Sequence, residues 1–167
     1  MDSIGTSFKA QLLCITEGFR GPVAMTRGGG IAKQGWLVRG GGSEQAVTFS
    51  FEYLERVEER ILFTIRGAED AGAYHGAPLD VSRNGYLGFY SSVDDPSTWQ
   101  LEVTRDDGNG KPLRCRLRDA GGHRIAMLSK TSRSGSRADA YFANGQRIDY
   151  LTRGNGVAVE FEIRYQD

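Results

Sequence analysis

The chain has 167 residues, a length that suits a single domain able to bury its own core. Its 21 Lys+Arg balance 21 Asp+Glu, so no net field draws it to nucleic-acid phosphates or anionic lipid. With 39% hydrophobic and 25% charged residues, and no apolar run near the ~18–20 residues a membrane span needs, a globular domain is expected.

The first residues, MDSIGTSFKAQLLCITEG, carry Asp2 and no apolar run of signal-peptide length. A cytoplasmic location is expected, with unconventional export left open. From Leu12 the pattern is an alternating run, a short polar turn and a second apolar triplet, Val23-Ala24-Met25. Period-two alternation is the signature of a strand with one buried face. The glycine-rich run 28–35 ends in neither Lys-Ser nor Lys-Thr, so it reads as a turn and not as a phosphate cradle. Trp36 is followed 13 positions later by Phe49, and Phe49, Phe51 and Tyr53 alternate. Residues 53–60 are rich in helix formers, and Leu54, Val57 and Ile61 are spaced three and four apart. That spacing predicts a short helical turn.

The pattern then returns. LFTIRGAEDAGAYHGAPLDVSRNG begins at Leu62, and RCRLRDAGGHRIAMLSKTSRSG at Arg114. Asn84-Gly85 predicts a tight hairpin turn in which both residues accept positive φ. Tyr86 precedes Trp99 by 13 positions, and Trp99, Leu101 and Val103 alternate. The last segment closes on Val157, Val159, Phe161 and Ile163 after a longer connection from Tyr141. Aligning Ile15, Ile65 and Leu117 gives separations of 50 and 52, with 50 more residues to the end. The predicted core is Ile15, Ile65 and Leu117 with Phe49, Trp99 and Phe161. On this alignment the second apolar triplet starts 8 positions after Ile15 and Leu117 but 14 after Ile65. The middle segment thus carries a 6-residue insertion within 68–78.

In the middle segment, ILFTIRG, PLDVSRNGYLGFY and STWQLEV resemble repeats of the fascin-like and ricin-B-like β-trefoils. The resemblance implies an all-β fold. By that resemblance it would be a β-trefoil of three ~50-residue four-stranded repeats with pseudo-threefold symmetry, in which a six-stranded barrel is capped by three hairpins. One domain would span 1–167, with repeats at about 8–56, 57–108 and 109–167. Ricin-type lectins repeat Gln-x-Trp in the last strand; here the order is Trp99-Gln100, in the middle copy alone. A β-sandwich of the fungal-lectin or actinoporin-like kind, suggested by RGPVA and EQAVTFSFEY, is the second architecture. It leaves the spacings near 50 unexplained.

No catalytic, metal or cofactor residue is assigned. His75 and His123 lack a second His, Cys or carboxylate at ligand spacing, and no G-x-S-x-G elbow occurs. Asp94-Asp95 and Asp106-Asp107 read as solvated turn residues. Cys14 and Cys115 read as two buried thiols, a long-range disulfide being the alternative. The insertion is the best functional pointer, because loops on rigid scaffolds carry binding. Tyr74 and His75, with Asp70 in the same loop and Tyr90 and Asp94 across from it, form the predicted ligand-binding set. An aromatic ring can stack on a sugar while carboxylate and imidazole meet its hydroxyls. The competing reading has Tyr74 covering the barrel end and His75 solvated. Lys130, Arg133 and Arg137, with Arg118, Arg124, Arg147 and Arg153, form a basic region suited to an acidic protein. The expected function is therefore a non-enzymatic, lectin-like carbohydrate-binding β-trefoil. The alternative is a protein-interaction trefoil, such as a fascin-like actin-binding protein or a protease inhibitor. A glycan or a protein is the expected partner, nucleic acid is not, and oligomers are allowed.

Overall fold

The structure is a computed structural model that describes residues 5–26, 35–40, 46–90, 95–131 and 147–166. Among the described residues thirteen strands follow in chain order: β1 Phe8–Cys14, β2 Gly21–Met25, β3 Leu37–Arg39, β4 Phe49–Val57, β5 Arg60–Gly67, β6 Leu79–Val81, β7 Leu87–Phe89, β8 Trp99–Arg105, β9 Arg114–Arg118, β10 Ile125–Thr131, β11 Arg147–Arg153, β12 Val157–Ala158 and β13 Phe161–Gln166. A 3-10 turn, Glu69–Tyr74, lies between β5 and β6. Among the described residues no helix is long and apolar enough to cross a membrane.

Six strands close into a barrel in the order β1-β13-β9-β8-β5-β4, with β4 returning to β1. Closure removes edges that would pair with other chains. Three antiparallel hairpins, β2–β3, β6–β7 and β10–β11, flank it, and the short β12 pairs with β10. The pairing register repeats around the barrel. Ala10 faces Phe49, Phe63 faces Trp99, and Cys115 faces Phe161. Phe51 likewise faces Ile65, Leu101 faces Leu117, and Leu12 faces Ile163. None of these side chains is more than 3% exposed. Alternate residues of each strand fill the lumen, which is what the period-two pattern requires. Two small residues, Ala10 and Cys115, sit opposite large rings, so volume is shared across the pairs.

This register corrects the sequence alignment at one point. Ile15 lies beyond β1 and is only half-buried, its N–H donating to the Glu160 carbonyl at 3.0 Å. Leu12 holds the lumen position matched by Ile65 and Leu117. From these three residues the second apolar triplet begins after 11, 14 and 8 positions. The middle connection is therefore 6 residues longer than the third but only 3 longer than the first.

The helical expectation for 53–60 also fails. Residues 49–57 are strand β4, which runs antiparallel to β5 out to Val57 opposite Arg60. A bulge falls between Tyr53 and Glu55, and Glu58 takes a left-handed φ of 57° at the tip. Cross-strand pairing with β5 outweighs a weak local helix propensity. The Asn84-Gly85 turn is present, but only Gly85 has a positive φ, 87°. Gly85 N–H donates to Ser82 O and Tyr86 N–H to Ser82 Oγ, so the loop is longer than a two-residue turn.

Both cysteines are buried free thiols. Cys14 and Cys115 face Phe161 from opposite sides. Two strand spacings, roughly 9.5 Å, therefore separate their backbones. That exceeds the ~7 Å limit for a disulfide, so the disulfide alternative is excluded by register. Burial pushes both thiols up, Cys115 to about 12. Alkylation under denaturing, reductant-free conditions is expected to find two free thiols. Finding none in a chain of intact monomer mass would contradict the register.

Candidate functional site

The middle insertion folds as the 3-10 turn Glu69–Tyr74, kinked at Gly72 with φ 61°. Asp70 is committed to holding it. Its carboxylate accepts the Thr48 N–H at 2.9 and 3.1 Å and the Thr48 hydroxyl at 2.7 Å. The Ala68 N–H returns a bond to the Thr48 carbonyl at 3.0 Å. This pins the loop to the residue just before β4. Asp70→Ala is expected to cost about 1–2 kcal/mol in urea unfolding, the scale for charge-assisted bonds that are partly exposed. An unchanged midpoint would release Asp70 from this structural role.

Tyr74 is half-buried. Its ring stacks on Phe89, with centroids 6.2 Å apart and planes 26° from parallel. It also lies over Gly35, where a Cβ would come within 3.0 Å of the ring. His75 is exposed and is held through its backbone N–H to Gly72 O. Tyr90 stands elsewhere, edge-on to Trp36 at 6.3 Å. Its buried hydroxyl has no partner in hydrogen-bond geometry. Burial raises its pKa, tempered by the nearby Ser82 hydroxyl. No hydrogen bond, ion pair or ring contact among the described residues joins Tyr90 to Tyr74 or His75. Asp94 lies outside the described residues.

The sequence reading did not assemble the aromatic group at the hairpins. Trp36, Tyr86 and Tyr150 each precede a buried leucine: Leu37, Leu87 and Leu151. Each bridges to the next hairpin, Trp36 to Gly88, Tyr86 to Thr152 and Tyr150 to Val38. Tyr86 sits edge-on to Trp36 at 6.3 Å and to Tyr150 at 5.4 Å. Lys130 Nζ lies 5.1 Å over the Tyr86 ring. Gly88 is required here, since a Cβ would meet Gly35 O at 2.8 Å and the Trp36 ring at 3.1 Å. The equal spacings from Trp36 and Tyr86 to the next barrel strand were the available signal. Tyr150 occupies the third place. Tyr141, which the sequence reading used there, lies outside the described residues.

Four arginines of the basic region are paired with carboxylates. Arg118 and Arg124 meet Glu102 at 3.2 and 4.0 Å, and Arg153 meets Asp119 at 3.6 Å. His123 Nδ1 lies 3.1 Å from the same Asp119. Arg133 and Arg137 lie outside the described residues. Arg147 belongs to a buried cluster. The Asp149 side chain has 0% exposure and receives Arg39 Nε at 2.6 Å, Arg147 Nε at 2.8 Å and Ser129 Oγ at 2.5 Å. The other ends of the arginines hold the β1–β2 turn, through Arg20 O and Gly18 O. Burial alone would raise the Asp149 pKa. The bonds from Arg147, Ser129 and Arg39 outweigh it and hold the carboxyl below its usual range. The other carboxylate pair, Asp106-Asp107, is engaged through Arg105 and Asp107 at 2.5 Å. No group of three or more His, Cys, Asp or Glu among the described residues is placed to hold a metal.

One surface feature is left over. Among the described residues, β1 pairs with β4 where Phe8, Lys9 and Ala10 face Phe51, Ser50 and Phe49, while β4 and β5 pair out to Val57 opposite Arg60. At the turn end of β4, Leu54 and Val57 are each 49% exposed. Isolated apolar side chains on a surface are ordinary; these two lie close to one turn among charged residues and make the candidate contact point.

No family model and no curated protein sequence matches the chain. Among solved structures, the fold is similar to the double-headed arrowhead protease inhibitor A in complex with two trypsins. The TM-score is 0.58 at 10% identity, covering 96% of this chain and 90% of that one. With the closed six-stranded barrel, this defines the chain as an all-β protein with a trefoil-like fold.

Proposed function

We propose that the chain is a non-enzymatic β-trefoil that acts by presenting side chains to a protein partner. In this reading residues 1–167 form one domain of three four-stranded repeats related by pseudo-threefold symmetry, near 8–56, 57–108 and 109–167. The recurring barrel register supports that division. The observation that carries the function is the pair of apolar side chains left at the surface near the β4–β5 turn, Leu54 and Val57, each 49% exposed. The fold likeness to an inhibitor held by two trypsins adds support for a protein partner.

The carbohydrate reading loses its best residues to internal contacts. Asp70 is bonded to Thr48, and the Tyr74 ring is stacked on Phe89. The test sets the two readings side by side. The purified protein is titrated against serine proteases and filamentous actin, and applied to a broad glycan array. The expected result is saturable binding or inhibition in the protein panel that Leu54→Asp with Val57→Asp weakens at least tenfold, with a silent array. Glycan binding abolished by Tyr74→Ala or Tyr90→Ala would establish the lectin instead.

A further inference from the structure

The outer wall of the barrel over β8 and β9 carries more guanidinium than its carboxylates take up. β9 reads Arg114, Cys115, Arg116, Leu117, Arg118. The cysteine and the leucine are buried in the lumen, so the three arginines line the outer face. Across the ladders Arg114 stands opposite Glu162, and Arg116 opposite Glu102. Neither pair forms. Glu162 is held by Arg164 at 2.8 Å, and Glu102 by Arg118 at 3.2 Å with Arg124 at 4.0 Å. Glu160, just before β13, accepts the Thr104 hydroxyl. Arg105, the other neighbour of Arg114, is paired with Asp107 at 2.5 Å. Among the described residues Arg114 and Arg116 therefore have no carboxylate partner, and the Arg116 Nε is enclosed without a hydrogen bond.

The same row crosses the sheet. Glu102 lies opposite Arg60 on β5, and Arg60 opposite Val57 on β4. Arg60 donates to the neutral Gln100 side-chain oxygen at 2.9 Å. Glu58 and Glu59 precede it in the β4–β5 turn, so the surplus charge centres on β9. β5, β8, β9 and β13 are described over all of these positions.

We propose that this wall takes up an acidic segment of a protein partner, extended along β9 with carboxylates at alternate residues. Arg114 and Arg116 sit two residues apart on one strand face, about 6.7 Å, the repeat of alternate side chains in an extended chain. Carboxylates at that repeat each meet a forked donor whose strand neighbours are already engaged. Val57 lies three strand spacings from Arg116, about 14 Å, within one ordinary interface footprint. A polyanion such as nucleic acid or sulfated glycan is the poorer occupant. Glu102 and Glu162 stand beside the arginines, and a continuous line of negative charge would press on them too. The inference rests on the protein-partner reading above and adds a second site and the chemistry of the partner.

The test is a titration of the unaltered protein followed by NMR of the arginine Nε–H groups. The probe is a synthetic peptide of about ten residues with Glu at alternate positions and Thr between them. The same peptide with Gln for Glu, and heparin, are titrated beside it. The Glu peptide should shift the Arg114 and Arg116 signals saturably and leave Arg39 and Arg147, which are bonded to Asp149, in place. The Gln peptide should bind about tenfold more weakly or worse, and so should the Glu peptide on Arg114→Gln with Arg116→Gln. The signals of the unaltered protein keep the test decisive if that variant folds poorly. No shift with the Glu peptide at millimolar concentration, an equal response to the Gln peptide, or equal binding by the double variant would overturn this site. The protein-partner reading would then still stand on its Leu54 and Val57 result. Arg114 and Arg116 shifted by heparin alone would assign the wall to a sulfated glycan and overturn the proposal too. A silent protein panel with a glycan hit dependent on Tyr74 or Tyr90 would remove the parent reading and this one with it.

Discussion

Trp99→Ala is expected to destabilise the fold by about 3–5 kcal/mol, the scale for truncating a fully buried large aromatic. The Trp99 side chain is 0% exposed and faces Phe63 across β5–β8. The strands around it belong to a closed barrel, so they cannot slide inward to fill the void. A second loss accompanies the cavity. The Trp99 Nε1–H is donated to the Leu79 carbonyl at 3.0 Å in a buried setting. That bond fastens the β6–β7 hairpin to the barrel wall, and its loss leaves a buried acceptor unpaired. Trp99→Phe separates the effects, because it keeps most of the ring volume while removing the donor. Urea unfolding of the three proteins checks the order. A Trp99→Ala change below about 1.5 kcal/mol would mean that the barrel collapses around the missing ring.

Asp149→Asn is expected to be the other large loss, about 2–4 kcal/mol. Breaking a buried pair costs ~3–5 kcal/mol, and the value is reduced here because both arginines retain contact with water. Arg39 and Arg147 side chains are 28% and 49% exposed, whereas Asp149 is wholly enclosed. The effect should depend on pH. The carboxyl is held below its ordinary value in the folded protein. Its contribution is therefore complete above the unfolded value of ~4 and is lost as pH falls through the lower folded value. Urea midpoints measured from pH 7 to pH 3 should decline on the acid side in the native protein. The difference from Asp149→Asn should shrink over the same range. Parallel curves would show that Asp149 is not the group that titrates.

Much of the barrel is written in alternation. Phe49 and Phe51, Trp99 and Leu101, Phe161 and Ile163 stand out because large apolar residues recur at period two. β1 is harder to phase. Its lumen face is Ala10, Leu12 and Cys14, and two of these are small because the facing strands supply Phe49 and Phe161. The bulkier Ile15 drew the alignment three residues off. The hairpin tip misled for a related reason. Leu54 and Val57 are spaced like a helix face, yet neither meets the core, and pairing with β5 decides their conformation.

The candidate site was less legible still. The composition of 68–78 suggested a glycan surface, but composition does not reveal that Asp70 reaches a backbone N–H 22 positions away. Nor does it reveal that Phe89 lies beneath Tyr74.

The position of β1 has a consequence for how the chain is made. β1 shares six residue pairs with β13, from Lys9 opposite Gln166 to Cys14 opposite Phe161, but three with β4. During synthesis its main neighbour, β13, is made about 150 residues after it, Cys14 waiting for Phe161. At ~5–20 residues per second the wait is roughly ten to thirty seconds. Over that interval Leu12 and Cys14 have the β4 contact and the β2 turn for company, and one flank of the nascent sheet stays open. The topology that closes the finished barrel makes the growing chain most exposed to aggregation just before β13 is made, and concentrates the hazard on β1.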